Sequence, residues 1–135
     1  MKWIVTEPKS GDIIRTKVNF YYHYGIFVNE DSVIQFGMPD NSGVDPDTIE
    51  VITTDAKTFS NGSIIETAIL SASEKIKRNP PKKTVEIALS RLGEKGYNIL
   101  HNNCEHFVNE CVFGESKSTF LDDVRSVIRK RTKKE

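Results

Sequence analysis

Cysteine is scarce in this chain of 135 residues, and its two examples, Cys104 and Cys111, stand seven positions apart. Along one helix that separation is a rise of roughly 10 Å, more than the about 7 Å between α-carbons that a disulfide spans. The chain is therefore not a disulfide scaffold, and its thiols are expected to be free, as in a reducing cytoplasm. Long apolar runs are missing: Trp3-Ile4-Val5 is too short for a signal-peptide core, and nothing approaches a membrane span. Neither sign of charge is in excess, since Lys+Arg and Asp+Glu number 19 each, so no overall field draws the chain to nucleic acid. There is no internal repeat, no low-complexity tract and no glycine-rich phosphate loop. Asp40, Asp45, Asp47 and Asp55 lack the spacing of an EF-hand and are expected to form a solvated acidic loop. No cofactor and no metal ion is expected.

What is present begins with Asn102-Asn103-Cys104-Glu105-His106-Phe107-Val108-Asn109-Glu110-Cys111. Cys104, Phe107, Val108 and Cys111 keep the i, i+3, i+4, i+7 spacing of an amphipathic helix, and Gly114 is placed to end it. Either asparagine can cap the helix by accepting a free N–H of the first turn. Cys104 then sits at the positive end of the helix dipole, where an anion is favoured and a thiol pKa is lowered. That is the setting of a nucleophile, although a small buried hydrophobe is the commoner fate of a free cysteine. Position alone does not decide between them; a partner base must.

Histidine is equally scarce, with three candidates. His106 lies two residues beyond Cys104 and is rotated from it by about 200° on a helix, so it points elsewhere. His101 falls in a loop, where a solvated surface histidine is at least as common as a catalytic one. His23 remains, within Tyr22-His23-Tyr24-Gly25-Ile26-Phe27-Val28, a β-branched and aromatic run that reads as a strand. Zinc held by Cys104, His23 and His101 is the metal alternative, and it lacks paired short-spaced ligands.

Three stretches, Glu7 to Ile14, Tyr21 to Val28 and Asn103 to Glu110, resemble in order the lecithin:retinol acyltransferase-like family, within the NlpC/P60 group of papain-like thiol enzymes. The resemblance runs from about Glu7 to Ser118, loosely between Pro39 and Lys77, and Asn-Cys-Glu-His-Phe is its specific signature. It implies a circularly permuted papain-like fold with Cys104 as nucleophile and His23 as base. Where the family usually carries a second histidine, in Ser32-Val33-Ile34-Gln35-Phe36, this chain has Gln35. An amide oxygen there can still accept from the far ring nitrogen of His23 and fix its tautomer.

The remaining chain supplies scaffold. Strands are expected at Ile13 to Val18, around His23 and around Gln35, the last two forming a hairpin through Asn29-Glu30-Asp31-Ser32. The hairpin carries a parity condition. His23, Gly25 and Phe27 share a face, so Gln35 joins them only if it opposes an odd-numbered residue; a regular two-residue Glu30-Asp31 turn opposes it to Ile26 instead. Gly37 to Pro46 reads as loop, Ile49 to Ile52 as a strand, and Ser63 to Leu70 as a strand or short helix. Asn79-Pro80-Pro81 starts a helix capped by Asn79, with Val85, Ala88, Leu89 and Leu92 inward and Gly93 at its end. Tyr97 to Leu100 reads as extended, and a last helix begins near Ser118 and ends in a basic tail over about 129–135, read as solvated.

The expectation is one α+β domain over residues 1–135, a small antiparallel sheet packed against helices. Its expected chemistry is acyl transfer or hydrolysis through a thioester on Cys104, with His23 and Gln35 completing the site. The resemblance implies a lipid acyl ester or amide as substrate. A peptidase or amidase using the same site, and a non-catalytic binding module on the same fold, are the alternatives. Peripheral contact with a membrane and the oligomeric state are left open by the sequence.

Overall fold

The computed structural model describes residues 1–18, 21–37, 46–97 and 103–114. Among these residues six strands form one antiparallel sheet in the order β1-β6-β2-β3-β4-β5: β1 (Lys2–Ile4), β2 (Ile13–Val18), β3 (Tyr21–Asn29), β4 (Ser32–Gly37), β5 (Glu50–Thr54) and β6 (Ile65–Ile69). Among the described residues four α-helices accompany them: α1 (Ala56–Ser60), α2 (Ala72–Lys77), α3 (Pro81–Ser90) and α4 (Cys104–Phe113). The α+β expectation holds, and the strand expected at Ile13 to Val18 has those bounds. The ambiguous stretch after Ser63 is strand β6, which pairs with β2 and so takes its conformation from the sheet rather than from its own mixed period.

Strand alternation sends Ile13, Tyr24, Ile26, Ile34 and Phe36 to one face, where α4 covers them with Phe107, Val108 and Cys111. Phe107 is fully buried and meets Phe36 edge-on, with centroids 5.6 Å apart. Ile14, Phe27 and Val33 go to the other face, under Ala56 and Phe59 of α1. The sheet is thus covered on both sides. Helix α1 was not foreseen, because five residues give no helical period; its cap does the work, with Asp55 accepting from Thr58 N. Helix α2 and the edge strand β1 also escaped prediction for shortness, although Ser71 and Glu74 form a full capping box on α2.

Helix α3 departs from its expected stripe. Thr84 and Ala88 face inward, whereas Leu89 and Leu92 are 43% and 45% exposed. The first turn is pinned: Gly11 packs so closely that an added Cβ would lie 2.7 Å from Pro81, and Arg78 joins Gly11 O at 3.0 Å to Thr84 Oγ1 at 3.2 Å. This rotation carries Arg91, seven residues after Thr84, toward Glu110 of α4, which its guanidinium meets at 2.5 Å. Asn79 does not cap α3. Pro80 holds that position, and Asn79 Nδ2 donates to Cys111 O at 3.1 Å, tying the helix entry to α4. The expected extended piece at Tyr97 to Leu100, the last helix and the basic tail lie wholly or mostly outside the described residues.

Candidate active site

Helix α4 starts as the sequence indicates. Asn103 is its N-cap, its side-chain oxygen accepting from His106 N at 3.0 Å, and Gly114 ends it in the left-handed region at φ 73°. His106 is buried and completes a capping box, its Nδ1 accepting from Asn103 N at 3.0 Å. His106 Nδ1 is thereby engaged in the helix cap. The sequence signal for it is Asn-x-x-His, a variant of the familiar Ser/Thr-x-x-Glu.

The hairpin satisfies its parity condition by an unexpected route. Its turn does have two residues, since Asn29 pairs with Ser32, and a regular ladder from there would exile Gln35. A bulge between Phe27 and Asn29 absorbs one residue, so that Phe27 pairs with Val33 and Ile26 with Ile34. With Ile34 opposite Ile26, alternation along β4 puts the next residue, Gln35, on the His23 face. Its side chain is buried and hydrogen-bonded to both neighbours: Oε1 meets His23 Nε2, and Nε2 donates to Thr54 Oγ1 at 2.7 Å. An amide oxygen only accepts, so the His23 proton resides on Nε2 and Nδ1 carries the free lone pair. Thr54 holds the amide in the orientation that makes this so. Nothing in the sequence marked Thr54, because its part depends on β5 lying beside β4.

His23 also packs against the Phe59 ring, at 5.2 Å between centroids, and Gly25 leaves that space open: an added Cβ there would lie 2.9 Å from Phe59 and Val33. Burial lowers the His23 pKa below its ordinary value, partly offset by the bond to Gln35. The imidazole is thus neutral at pH 7 and able to accept a proton.

Cys104 is 7% exposed and, like Cys111, free. The expected lowering of its pKa is not found. Burial pushes the thiol up to about 11, and hydrogen bonds from the backbone of Tyr24, Cys104 and Glu105 offset this only in part. Desolvation of the thiolate outweighs the helix terminus here. The Tyr24 contact brings Cys104 to the β3 backbone one residue from His23. Among the described residues no hydrogen bond joins the two side chains. His23 leaves β3 on the Phe59 side, while α4 lies over the side of Tyr24 and Ile26. His101 lies outside the described residues, and no group of three or more His, Cys, Asp or Glu able to hold a metal occurs among those described.

Comparison with known proteins adds the decisive observation: the family model described as lecithin retinol acyltransferase matches residues 6–117. The chain belongs to this family. Phospholipase A and acyltransferase 3 of Homo sapiens is 29% identical over 140 residues, covering 95% of this chain and 83% of that protein. The Mus musculus protein of the same name is 28% identical, covering 93% and 81%. Lecithin retinol acyltransferase of Mus musculus is 28% identical over 144 residues, covering 88% of this chain and 62% of its own length. Membership of the lecithin retinol acyltransferase family extends from Thr6, before β2, past the end of α4. It therefore takes in His23, Gln35 and Cys104 together.

Proposed function

We propose that the protein is a thiol-dependent lipid acyltransferase or hydrolase of the reducing cytoplasm, acting on an acyl ester through a thioester on Cys104. The hydrogen-bonded chain His23–Gln35–Thr54 carries this reading, because it leaves Nδ1 of a neutral imidazole as the basic atom. The names of the relatives, a phospholipase A and acyltransferase and a lecithin retinol acyltransferase, support the substrate class.

In the proposed reaction His23 Nδ1 takes the proton from Cys104 Sγ as the sulfur attacks the carbonyl carbon of the ester. A thiol with a pKa near 11 is not ionised beforehand, so proton transfer accompanies attack. Backbone N–H groups around the sulfur, at Tyr24 and at the start of α4, are the candidates to hold the oxyanion. His23 then protonates the departing alkoxide, leaving an acyl thioester and a free alcohol. Water attacking the thioester gives a fatty acid; an amine or alcohol gives the transferred acyl product, and the thiol is regenerated in either case. The step requires His23 Nδ1 and Cys104 Sγ to come within hydrogen-bond reach of each other beside Tyr24 when the ester is bound.

A competing reading, a non-catalytic binding module, is favoured by the raised thiol pKa and the missing Cys104–His23 hydrogen bond. Mass spectrometry after incubation with a short-chain ester separates the two. The proposal expects acyl mass on the Cys104 peptide, absent from Cys104→Ala and formed about 100- to 10,000-fold more slowly in His23→Ala. Acylation that survives Cys104→Ala, or none in the wild-type chain, overturns it. Parallel assays on a phospholipid and on a peptide amide separate lipid chemistry from peptidase chemistry.

A further inference from the structure

We infer that the open cavity of about 680 Å³ between β1, β2, β3, α2 and α4 is the seat of one acyl chain of the ester substrate. The inference rests on the thiol chemistry proposed above and deepens it by saying where the substrate's apolar part lies. The volume falls within the range of about 300–1,000 Å³ usual for small-molecule sites. Trp3, Ile13, Tyr24, Val108 and Phe113 supply the apolar part of its wall, beside the charged Arg15, Glu74, Lys77 and Glu105. Two of them lead to the thiol: the Tyr24 backbone is bonded to Cys104, and Val108 stands four residues after Cys104 on the same side of α4, about 6 Å along the axis. A chain attached to a carbonyl at Cys104 therefore finds this wall within a few bonds.

A phosphate headgroup is less suited to the aromatic part of the wall, the other lining cation, Lys77, standing exposed on α2. Arg15, the cation set among the aromatic walls, is already engaged: its Nε donates to Glu66 at 3.0 Å, and its guanidinium lies 4.2 Å from the Trp3 ring centre and 3.8 Å from that of Tyr22. Its charge is matched and both of its faces are stacked, so it closes the cavity wall instead of offering a fork to a phosphate.

The chain's single tryptophan, Trp3, lines the cavity and reports on it. Titration with 12-bromododecanoic acid should quench Trp3 fluorescence saturably, with dodecanoate competing and phosphocholine and acetate failing to compete. The same quenching is expected in Cys104→Ala, since occupancy does not need the thiol; failure of the nucleophile assignment and failure of the cavity assignment are thereby read separately. Val108→Phe should weaken the quenching at least tenfold, and Asn109→Phe, on the more open part of the wall, serves if the first variant does not fold. Quenching no greater than that of free tryptophan, quenching indifferent to the filling variants, or competition by phosphocholine overturns the inference.

Discussion

Replacing Gln35 separates its structural part from its chemical one. In Gln35→Leu the side chain keeps roughly its volume and loses both hydrogen bonds. The His23 Nε2–H is left unpaired in a partly buried place, at about 1–3 kcal/mol. Thr54 is only partly buried and can turn to water, and the added apolar burial returns about 1 kcal/mol. The net loss is about 0–2 kcal/mol, a fall of at most roughly 8 °C in melting temperature for a domain of this size. The chemical loss should be larger. Without a fixed acceptor on Nε2 the imidazole can adopt either tautomer and rotate, and acyl-thioester formation should fall by about 100-fold or more. Gln35→Glu provides the sharper contrast: a carboxylate on Nε2–H favours imidazolium, so the acid limb of the rate profile should move to higher pH while the fold is retained. Stopped-flow acylation across pH, beside thermal melts, reads both. A Gln35→Leu protein acylated within threefold of the wild-type rate, or a Gln35→Glu profile without an upward shift, would refute the assignment of Gln35 as the acceptor that orients His23.

Asn103→Ala removes the α4 cap and half of its capping box, and should cost about 1–2 kcal/mol by denaturant titration while displacing Cys104 enough to change its rate of reaction with iodoacetamide. Phe107→Ala empties a fully buried site between Phe36 and Arg91 and should cost about 3–5 kcal/mol in the same titration. Stability should also depend on pH at both ends. His23 has a lowered folded pKa, so the unfolded chain binds the proton more readily; its contribution is complete above the unfolded value of about 6.5 and is lost as pH falls from there through the folded value. Cys104 has a raised folded pKa, so its contribution is complete below the unfolded value and is lost as pH rises toward about 11. Melts from pH 4 to 11 should show both slopes; His23→Phe should shrink the acid one above about pH 5, below which Glu74 and Glu94 also contribute, and Cys104→Ala should shrink the alkaline one.

Where a residue pattern was long enough to carry a period, it was legible. The stripe Cys104, Phe107, Val108, Cys111 is buried as its spacing demands, and β2, β3 and β4 fall on their β-branched runs. Where shape depends on a distant partner, it was not. The α3 stripe holds for Val85 and Ala88 and fails for Leu89 and Leu92, because contacts with Gly11 and Glu110, both distant in sequence, fix the rotation of that helix. The electrostatics of Cys104 were misjudged for a related reason: the helix terminus is visible in the sequence, whereas the degree of burial that overrides it follows from the sheet below. His23 and Gln35 could be put in one hairpin by reading, but their bond required a bulge that no residue type announced.

That bulge has a bearing on how freely this hairpin tolerates change. Because Val28 is the surplus residue, the strands can lose it and become a regular hairpin with Phe27 still opposite Val33. Single-residue trimming at this tip is thus taken up as slack before it reaches the imidazole and its amide partner. The exposed end of the hairpin is free to diversify, while the stretch from His23 to Ile26 and from Ile34 to Gln35 must keep step.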